Sequence, residues 1–371
     1  MNDKMFGGKF RNKNILVTGH TGFIGSWLTL WLNHLGANVI GYSLKPLTEP
    51  ALFDVLRLDK KTTSIIADIR DKGKISSIIE KYEPEFVFHL AAQPLVRESY
   101  EKPLDTFEIN FLGTANILES FRKSSVSTAI IMTSDKCYDN KKIHPHTEDD
   151  PMGGIDPYSA SKGATELLIS SYRDSFFKKD HNSTNIASIR AGNVIGGGDW
   201  SKDRIIPDII KSQTNKNELV IRNPNATRPW QYVLEPILGM LNIAIRMNDN
   251  DSKISLNQGW NLGPNLDMKS LTVKEILEKI IEKYELKIRV KFEEKSSDMY
   301  ESGSLLLDTT KAKRELGLEN IYSIEETIED TISWYKNFQT TQTNIEEFSI
   351  KQIIKYYNSW INNIHEDKVP W

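Results

Sequence analysis

Tyr158 and Lys162, four residues apart in DPYSASKGATELL, have the types and the spacing for acid–base chemistry. On a helix, this spacing places both side chains on one face. A tyrosine with a free pKa near ~10 is protonated at neutral pH, and a neighbouring ammonium favours its phenolate form. Because exposed pairs at this spacing are common, the interpretation depends on what else the chain brings to the same place.

A second polar group follows an apolar run in IIMTSDKCYDN. Residues Ala129–Met132 predict a buried strand, and two hydroxyls, an acid and an ammonium follow it at Thr133–Lys136. A salt bridge between Asp135 and Lys136 at the end of the strand would explain the charges alone. It would not explain the hydroxyls or a nearby tyrosine–lysine pair, so the strand end is predicted to be catalytic.

Three glycines, Gly19, Gly22 and Gly25, have the spacing GxxGxxG between a predicted strand and a predicted helix. Glycines there let a pyrophosphate approach backbone N–H groups at the positive end of the helix. A purely structural turn could use the same residues. Their position inside a strand–helix–strand pattern favours a dinucleotide site.

The second predicted strand ends at Tyr42–Leu44, without the acid that usually holds the adenosine ribose. Ser43 can hydrogen-bond a ribose hydroxyl, and no arginine stands there to meet a 2′-phosphate. NAD is therefore favoured over NADP. Asp68 and Ile69 follow the third strand and are candidates for contact with the adenine, although Asp68 could equally be a solvated turn acid.

Strands alternate with helices through the first half of the chain, and the part after about Gly196 is richer in loops. The pattern predicts an α/β fold: a Rossmann-type doubly wound parallel sheet with a smaller α/β C-terminal substrate lobe. The predicted domains are residues 1–195 for cofactor binding and catalysis and 196–338 mainly for substrate binding, with room for segments to return to the first domain. Residues 339–371 are predicted to form a helical tail.

Composition argues against several other classes of protein. The formal net charge of -3 gives no reason to expect nucleic-acid binding, and no apolar stretch is long enough to span a membrane. Cys137 is the only cysteine, which rules out disulfides within this chain and is typical of a reducing, cytoplasmic compartment. The HPH run at His144–His146 lacks companions, so no metal site is predicted.

With these motifs, the chain resembles the extended short-chain dehydrogenase/reductase superfamily, in particular its nucleotide-sugar dehydratases and epimerases. More narrowly, it is similar to the CDP-glucose 4,6-dehydratases, in ordered stretches that run from about residue 9 to 358. One departure is Ile24, where similar sequences carry lysine. The stretches that carry the resemblance are VTGHTGFIGSWL, FHLAAQPLVRESY, TSDKCYDN, DPMGGIDPYSASK, RAGNVIGGGDW, DRIIPDI, IRNPNATRPWQYVLEP, LLLDTTKAKRELG and EEFSIKQIIKYY.

The resemblance implies an NAD-dependent reaction that converts CDP-glucose into CDP-4-dehydro-6-deoxy-glucose. A hydride leaves C4 of the hexose, water is eliminated across C5 and C6, and the hydride returns to C6. Tyr158 would take the C4 hydroxyl proton, Ser134 would bind the same oxygen, and Asp135 would protonate the departing C6 hydroxyl. Lys136 stands where related dTDP-glucose dehydratases carry a glutamate base, and it would act either as a neutral base or as a charged stabiliser of the enolate.

The candidate catalytic residues are Ser134, Asp135, Lys136, Tyr158 and Lys162. The candidate cofactor-binding residues are Gly19, Thr21, Gly22, Phe23, Ile24, Gly25, Ser43, Asp68, Ile69, Leu90, Ala91, Ala92, Gln93, Thr133, Tyr158 and Lys162. The candidate substrate-binding residues are Gln93, Ser134, Asn193, Arg204 and Arg228. The resemblance further implies a homodimer or homotetramer formed through helices at 106–122 and 158–176. It also implies a place in surface-sugar synthesis, such as that of the 3,6-dideoxyhexoses of the O-antigen.

Two other functions share part of this pattern. A nucleotide-sugar 4-epimerase has the same glycine loop and tyrosine–lysine pair, but it needs no acid–base pair for C5 and C6. A regulator that senses NAD(P) without turnover could dispense with Tyr158 and Lys162. The run Ser134–Lys136 therefore favours the dehydratase.

Overall fold

The fold is that of a computed structural model, which describes residues 2–139, 144–177, 184–249, 255–266, 271–293, 305–340, 344–365, 368–369 and 371. The strands are β1 (Asn14–Thr18), β2 (Asn38–Ser43), β3 (Thr63–Ile66), β4 (Phe86–His89), β5 (Thr128–Met132), β6 (Asn185–Ala191), β7 (Val194–Ile195), β8 (Leu219–Ile221), β9 (Gln231–Tyr232), β10 (Gly259–Leu262) and β11 (Val290–Phe292). The α-helices are α1 (Phe23–His34), α2 (Leu52–Val55), α3 (Lys72–Tyr82), α4 (Val96–Glu101), α5 (Pro103–Phe107), α6 (Gly113–Phe121), α7 (Pro157–Tyr172), α8 (Ile205–Asn215), α9 (Leu234–Asn248), α10 (Val273–Tyr284), α11 (Thr310–Leu316), α12 (Ile324–Gln339) and α13 (Ile345–Asn363).

A seven-stranded sheet in the order β10-β6-β5-β4-β1-β2-β3 forms the centre of the molecule, and all of its neighbouring strands are parallel. The chain order reverses between β1 and β4. Loops that leave these two strands therefore diverge and open a crevice at their carboxyl ends, where open α/β sheets bind ligands.

Both faces of the sheet are buried, as the short apolar strands require. In β1, Ile15 and Val17 belong to one core, on the side of α1 and α9, while Leu16 belongs to the core beneath α3 and α6. Successive side chains of a strand point to opposite faces, so one apolar run supplies both cores. The predicted doubly wound α/β fold is confirmed.

The predicted helix at 106–122 is interrupted in the structure. A π-helical segment, Glu108–Leu112, separates α5 from α6. It directs the buried Asn110 inward, where its amide donates to the Gln93 carbonyl (3.1 Å) and to Ser161 Oγ (2.9 Å). The spacing of apolar residues predicted one continuous helix, because that spacing does not show that Asn110 bonds to Gln93 and Ser161.

Part of the chain beyond residue 195 returns to the main sheet, since β10 pairs with β6. Two smaller parallel pairs, β8 with β11 and β7 with β9, lie outside it. The domain boundaries at 195 and 338 stay predictions. Among the described residues, no helix is long and apolar enough to cross a membrane.

The last long helix, α13, is anchored to the rest of the molecule by a buried carboxyl group on α9. Glu235 accepts hydrogen bonds from Tyr356 on α13 (2.5 Å) and from the backbone N–H groups of Ile321 (3.1 Å) and Tyr322 (3.2 Å). Burial raises the pKa of Glu235 to about 8, although these three hydrogen bonds oppose the shift. Glu235 is thus largely protonated at neutral pH.

We expect this carboxyl group to make stability depend on pH. Its pKa is raised on folding from 4.5 to about 8, so its contribution is full below about pH 4.5 and is lost as the pH rises through about 8. The variant Glu235→Gln keeps the shape without titrating, so its melting temperature should fall less than that of the wild type between about pH 5 and pH 9. Parallel curves of melting temperature against pH for the two proteins would contradict this assignment.

Candidate active site

A cavity of about 400 Å³ opens at the carboxyl ends of β1, β4, β5 and β6. It is the place where the tyrosine–lysine pair and the polar strand end meet. The sequence-predicted site residues that line it are Ile24, Leu90, Ala92, Thr133, Ser134, Asp135, Lys136, Tyr158, Lys162, Asn193, Arg204 and Arg228. The other predicted residues do not line it.

The glycine loop between β1 and α1 is closely packed. Gly19 has a φ of +76°, which favours glycine, and a Cβ on Gly25 would lie 2.0 Å from the Gly19 carbonyl oxygen. Gly22 caps α1 without any side-chain hydrogen bond. The first N–H groups of α1 are therefore left for an external acceptor, so the loop fits a dinucleotide pyrophosphate.

Two other predicted cofactor-binding residues, Phe23 and Ala91, pack next to the glycine loop. Phe23 packs towards Gly196, where a Cβ would lie 3.2 Å from its ring. The backbone N–H of Ala91 donates to Thr18 Oγ1 (3.2 Å), which holds the segment after β4 against the end of β1. Neither side chain lines the cavity.

The carboxyl end of β2 offers a hydrogen-bond acceptor in place of the missing acid. Thr21 Oγ1 donates to the Leu44 carbonyl (2.9 Å) and lies 2.9 Å from Ser43 Oγ. Because the only proton of Thr21 goes to Leu44, Ser43 must donate to Thr21 and keeps its lone pairs for another donor. The ribose 2′-hydroxyl of NAD is such a donor, whereas the 2′-phosphate of NADP is not. The carboxyl end of β2 therefore fits NAD.

The two residues predicted for the adenine differ in their placement. The Asp68 carboxylate accepts from the Arg70 guanidinium (2.7 Å) and backbone (2.8 Å), and the side-chain hydrogen bond from Arg70 lowers its pKa. The Ile69 side chain is buried against Gly113 in the core. A contact between Ile69 and the adenine would therefore be made by its backbone, and the contacts of both residues with the adenine stay predictions.

Tyr158 is positioned by the start of α7. Asp156 caps this helix by accepting from the Ser159 N–H (2.9 Å), and the Tyr158 N–H donates to Ser99 Oγ (3.1 Å). Burial raises the pKa of Tyr158 to about 12, with a hydrogen bond to Ser134 and the charge of Arg204 acting in the opposite direction. The expected lowering of this pKa by Lys162 is not seen: the charge that lowers it is that of Arg204, and burial outweighs that charge.

Lys162 lies one turn further along α7 and is also buried. Its amine donates to the Met132 carbonyl at the end of β5 (3.4 Å). Burial lowers its pKa to about 8, and the charge of Glu166 partly offsets this effect. The lysine therefore joins the helix of Tyr158 to the strand that ends in the polar run.

The polar run after β5 is organised by Ser134. Its hydroxyl donates to Asp135 Oδ1 (3.0 Å) and accepts from the Lys136 N–H (3.2 Å). The second oxygen, Asp135 Oδ2, is buried and has no hydrogen-bond partner among the described residues. Burial raises the pKa of Asp135 despite the opposing charge of Lys136, so the group favours its protonated form.

The predicted anion-binding side chains line the same cavity. Arg228 is buried and acts electrostatically on Asp135, while the half-buried Arg204 acts on Tyr158 and lies 3.8 Å from Asp199. Asn193 also lines the cavity, and its carbonyl accepts from the Gln231 N–H (3.0 Å). Two cations and an amide in one cavity suit a pyrophosphate.

The Gln93 side chain is hydrogen-bonded within the turn after β4. Its amide nitrogen donates to the Leu95 carbonyl (3.1 Å) and to Thr106 Oγ1 (2.9 Å), and its amide oxygen accepts from the Leu95 N–H (2.5 Å). The side chain is occupied in shaping the turn after β4 and does not line the cavity. It therefore supports neighbouring residues, and its contact with the sugar stays a prediction.

Sequence reasoning missed several cavity residues. Arg97 and Tyr100 on α4, together with Arg222 and Trp230, line the same space. Arg97 follows the carboxyl end of β4 within VRESY, a position that could have been flagged from the predicted sheet alone. Arg222 carried no comparable local signal, because it reaches the site only through tertiary packing.

The histidine pair also has a companion that the sequence did not reveal. Asp150 Oδ2 lies 3.3 Å from His146 Nδ1 and 3.7 Å from His144 Nδ1. The expectation that the HPH run lacks companions is therefore corrected. Asp150 Oδ2 also accepts from the Thr147 N–H (2.9 Å), and His146 stacks on Tyr138, so this geometry is that of a structural turn.

Short-chain dehydrogenases/reductases pair a tyrosine and a lysine beside a dinucleotide site on a sheet of this topology, and the chain is of that class. More particularly, it belongs to the family described as GDP-mannose 4,6 dehydratase, whose model matches residues 16–331.

Known proteins resemble the chain over most of its length. It is 44% identical to the CDP-glucose 4,6-dehydratase of Salmonella typhimurium, over 91% of this chain and 93% of that protein. A solved UDP-glucose 4-epimerase from Thermotoga maritima has a TM-score of 0.74 at 24% identity, covering 88% of this chain and all of the other. The dTDP-glucose 4,6-dehydratase of Streptomyces venezuelae, solved with NAD and TYD bound, has a TM-score of 0.73 at 21% identity, covering 87% and 97%. The two structures show the shared fold.

Proposed function

We propose that this chain is an NAD-dependent hydro-lyase that converts CDP-glucose into CDP-4-dehydro-6-deoxy-glucose. The observation that carries the proposal is the opening of the Ser134–Lys136 run onto the same cavity as Tyr158. The choice of CDP-glucose is supported by the 44% identity to the Salmonella typhimurium enzyme of that name. The glycine loop, Ser43 and Thr133 would hold the cofactor along the carboxyl edge of the sheet.

The first step needs a base for the C4 hydroxyl. Bound NAD+ would accept the C4 hydride and later return it to C6. Tyr158 takes the hydroxyl proton, and Ser134, hydrogen-bonded to it, binds the same oxygen. Because burial raises the pKa of Tyr158 to about 12, the ammonium of Lys162 and the guanidinium of Arg204 are needed to stabilise its phenolate.

The second step removes water across C5 and C6. Oxidation at C4 makes the adjacent C5–H acidic, so a modest base suffices to remove it. Asp135, whose pKa is raised by burial, presents its unpartnered Oδ2 to the C6 hydroxyl and in its protonated form gives that group its proton as it leaves. Lys136 is half-buried on the cavity wall and acts on C5, as a neutral base or as a charge that stabilises the C4 enolate.

The nearest alternative is a 4-epimerase, whose fold this chain shares. Epimerisation at C4 uses the tyrosine–lysine pair and the cofactor alone. It gives no role to the buried Asp135 carboxyl group, whose Oδ2 has no hydrogen-bond partner among the described residues. The strand end therefore favours dehydration.

The test is to incubate the purified protein and NAD with one sugar nucleotide at a time. The substrates are the CDP-, dTDP-, UDP- and GDP-linked hexoses. We expect a product lighter by one water, fastest from CDP-glucose, measured by mass spectrometry. An unchanged mass with altered stereochemistry would show an epimerase. No change in any of the substrates would reject the proposal.

We also infer that two copies of the chain pair through α6 and α7. Exposed apolar side chains lie on or next to these helices: Leu167 on α7 (62% exposed), Leu112 directly before α6 (51%) and Phe176 shortly after α7 (41%). Such a cluster is typical of a surface that is covered in an assembly. A homodimer or a dimer of dimers would bury it.

Leu167→Glu should halve the molar mass measured by light scattering, because it places two carboxylates at the centre of the interface. The matched control is Leu47→Glu, at a side chain that is 86% exposed in the loop after β2. A wild-type mass for Leu167→Glu, or the same loss for Leu47→Glu, would contradict pairing through these helices.

A further inference from the structure

A fully buried polar network lies directly behind the tyrosine–lysine pair. Glu166 lies on α7, one turn beyond Lys162, and is 3% exposed. Its Oε1 accepts from Thr133 Oγ1 (2.5 Å), and its Oε2 accepts from Ser188 Oγ (2.9 Å) and Arg190 Nη2 (2.8 Å). One carboxylate thus connects α7 with the ends of β5 and β6.

Glu166 is ionised in this network. Burial acts to raise its pKa, but the charge of Arg190 and the three hydrogen bonds outweigh burial and hold the pKa below its ordinary value. A buried carboxylate with this set of donors keeps its negative charge at neutral pH. That charge lies one helical turn from the Lys162 amine.

We propose that Glu166 is a positioning residue that keeps Lys162 protonated and fixes Thr133 at the strand end, so that Tyr158 can act as the base. This inference rests on the proposed function, since the charge of Lys162 matters only if Tyr158 loses its proton during turnover. Glu166 does not line the cavity and acts through Lys162 and Thr133.

The surroundings of Lys162 show why such a charge is needed. Burial alone lowers the Lys162 pKa, and Glu166 is the main group that opposes the shift. The Cys137 thiol faces the amine from the turn after β5, and burial keeps it protonated. His89 at the end of β4 has a pKa of about 3, mainly through burial, and is neutral. Together with Tyr158 on α7, these are the titratable groups near the amine among the described residues.

A purely structural role for Glu166 is the alternative. Arg190 also donates to Tyr138 (2.8 Å) and the Glu148 carbonyl (3.0 Å), so losing Glu166 would leave a buried guanidinium without its counter-charge. Breaking one side of a buried pair is strongly destabilising, whereas replacing both partners by neutral groups is often tolerated. The double variant Glu166→Gln/Arg190→Met therefore removes the ion pair without leaving a lone charge.

The experiment measures kcat against pH for the wild type, Glu166→Gln and the double variant, with folding checked by circular dichroism. The wild type should lose activity as Lys162 deprotonates near about pH 8. Removing the negative charge lowers the Lys162 pKa, so this alkaline limb should move about one unit to lower pH in both variants. That shift corresponds to a loss of about fivefold at pH 8. Glu166→Asp should restore part of the wild-type profile.

The control is Glu148→Gln, which replaces a half-buried glutamate that acts on Arg190 and is not among the groups that act on Lys162. For Glu148→Gln, the loss of kcat at alkaline pH should occur at the same pH as in the wild type. If the double variant folds and has the wild-type profile, Glu166 serves only the ion pair and the inference is wrong. An inactive wild type would instead reject the proposed function, so the two failures are distinguishable.

Discussion

Asp135→Asn should stop the reaction after C4 oxidation, with the elimination slowed about 10³-fold, as expected for a missing general acid. The asparagine keeps the shape and can still accept from Ser134, but it has no proton to give to the C6 hydroxyl. In a rapid-mixing experiment with CDP-glucose, the near-ultraviolet absorbance of the reduced cofactor should rise at the wild-type rate. It should then persist, and the product that is one water lighter should be almost absent.

The control for this variant is Asp208→Asn. Asp208 on α8 lines the same cavity, and burial raises its pKa to about 6, but it lies away from the strand end. Its replacement should leave the rate of elimination close to that of the wild type. If Asp135→Asn released the dehydrated product at the wild-type rate, Asp135 could not be the acid.

Lys136→Ala should slow the elimination of water but not the C4 oxidation, because it affects removal of the C5 proton. The variant should bind NAD and oxidise C4, but loss of deuterium from C5-labelled substrate should slow by about 10²-fold or more. The reason is that Lys136 is the one basic side chain in the run Ser134–Cys137 and lines the cavity beside Asp135. The measurement is wash-out of the label into water, followed by mass spectrometry.

Two companion variants decide what Lys136 does. Lys136→Arg keeps a positive charge but cannot act as a base, so it should retain wash-out only if the lysine stabilises the enolate. Lys202→Ala removes an exposed charge that does not line the cavity and should have no effect. Normal wash-out in Lys136→Ala would exclude both roles.

Most of the candidate catalytic residues could be predicted from residues that are close together in the sequence. Tyr158 and Lys162 share a helix face through their spacing, and Ser134, Asp135 and Lys136 are consecutive at a strand end. Such short-range relations survive in the structure because helix and strand geometry fix them locally. The order of strands and helices likewise predicted the parallel sheet, since parallel strands require crossover connections.

Other features followed from packing between distant segments. The amide of Gln93 turned inward because Leu95 and Thr106 could satisfy it, and no local pattern records that choice of rotamer. The return of β10 to the edge of the sheet depended on pairing with β6, about seventy residues away in the chain. Its placement was therefore not encoded in its own four residues.

The sequence by itself thus determined the glycine loop, the tyrosine–lysine pair and the polar strand end, which are set by spacing within single elements. Only the tertiary structure decided that Arg228 acts on Asp135, that Arg204 acts on Tyr158 and that Glu166 pairs with Arg190. The physical reason is that the pKa of a buried group depends on desolvation and on charges that lie close in space. Both are properties of the packed molecule, and residues distant in the chain supply them.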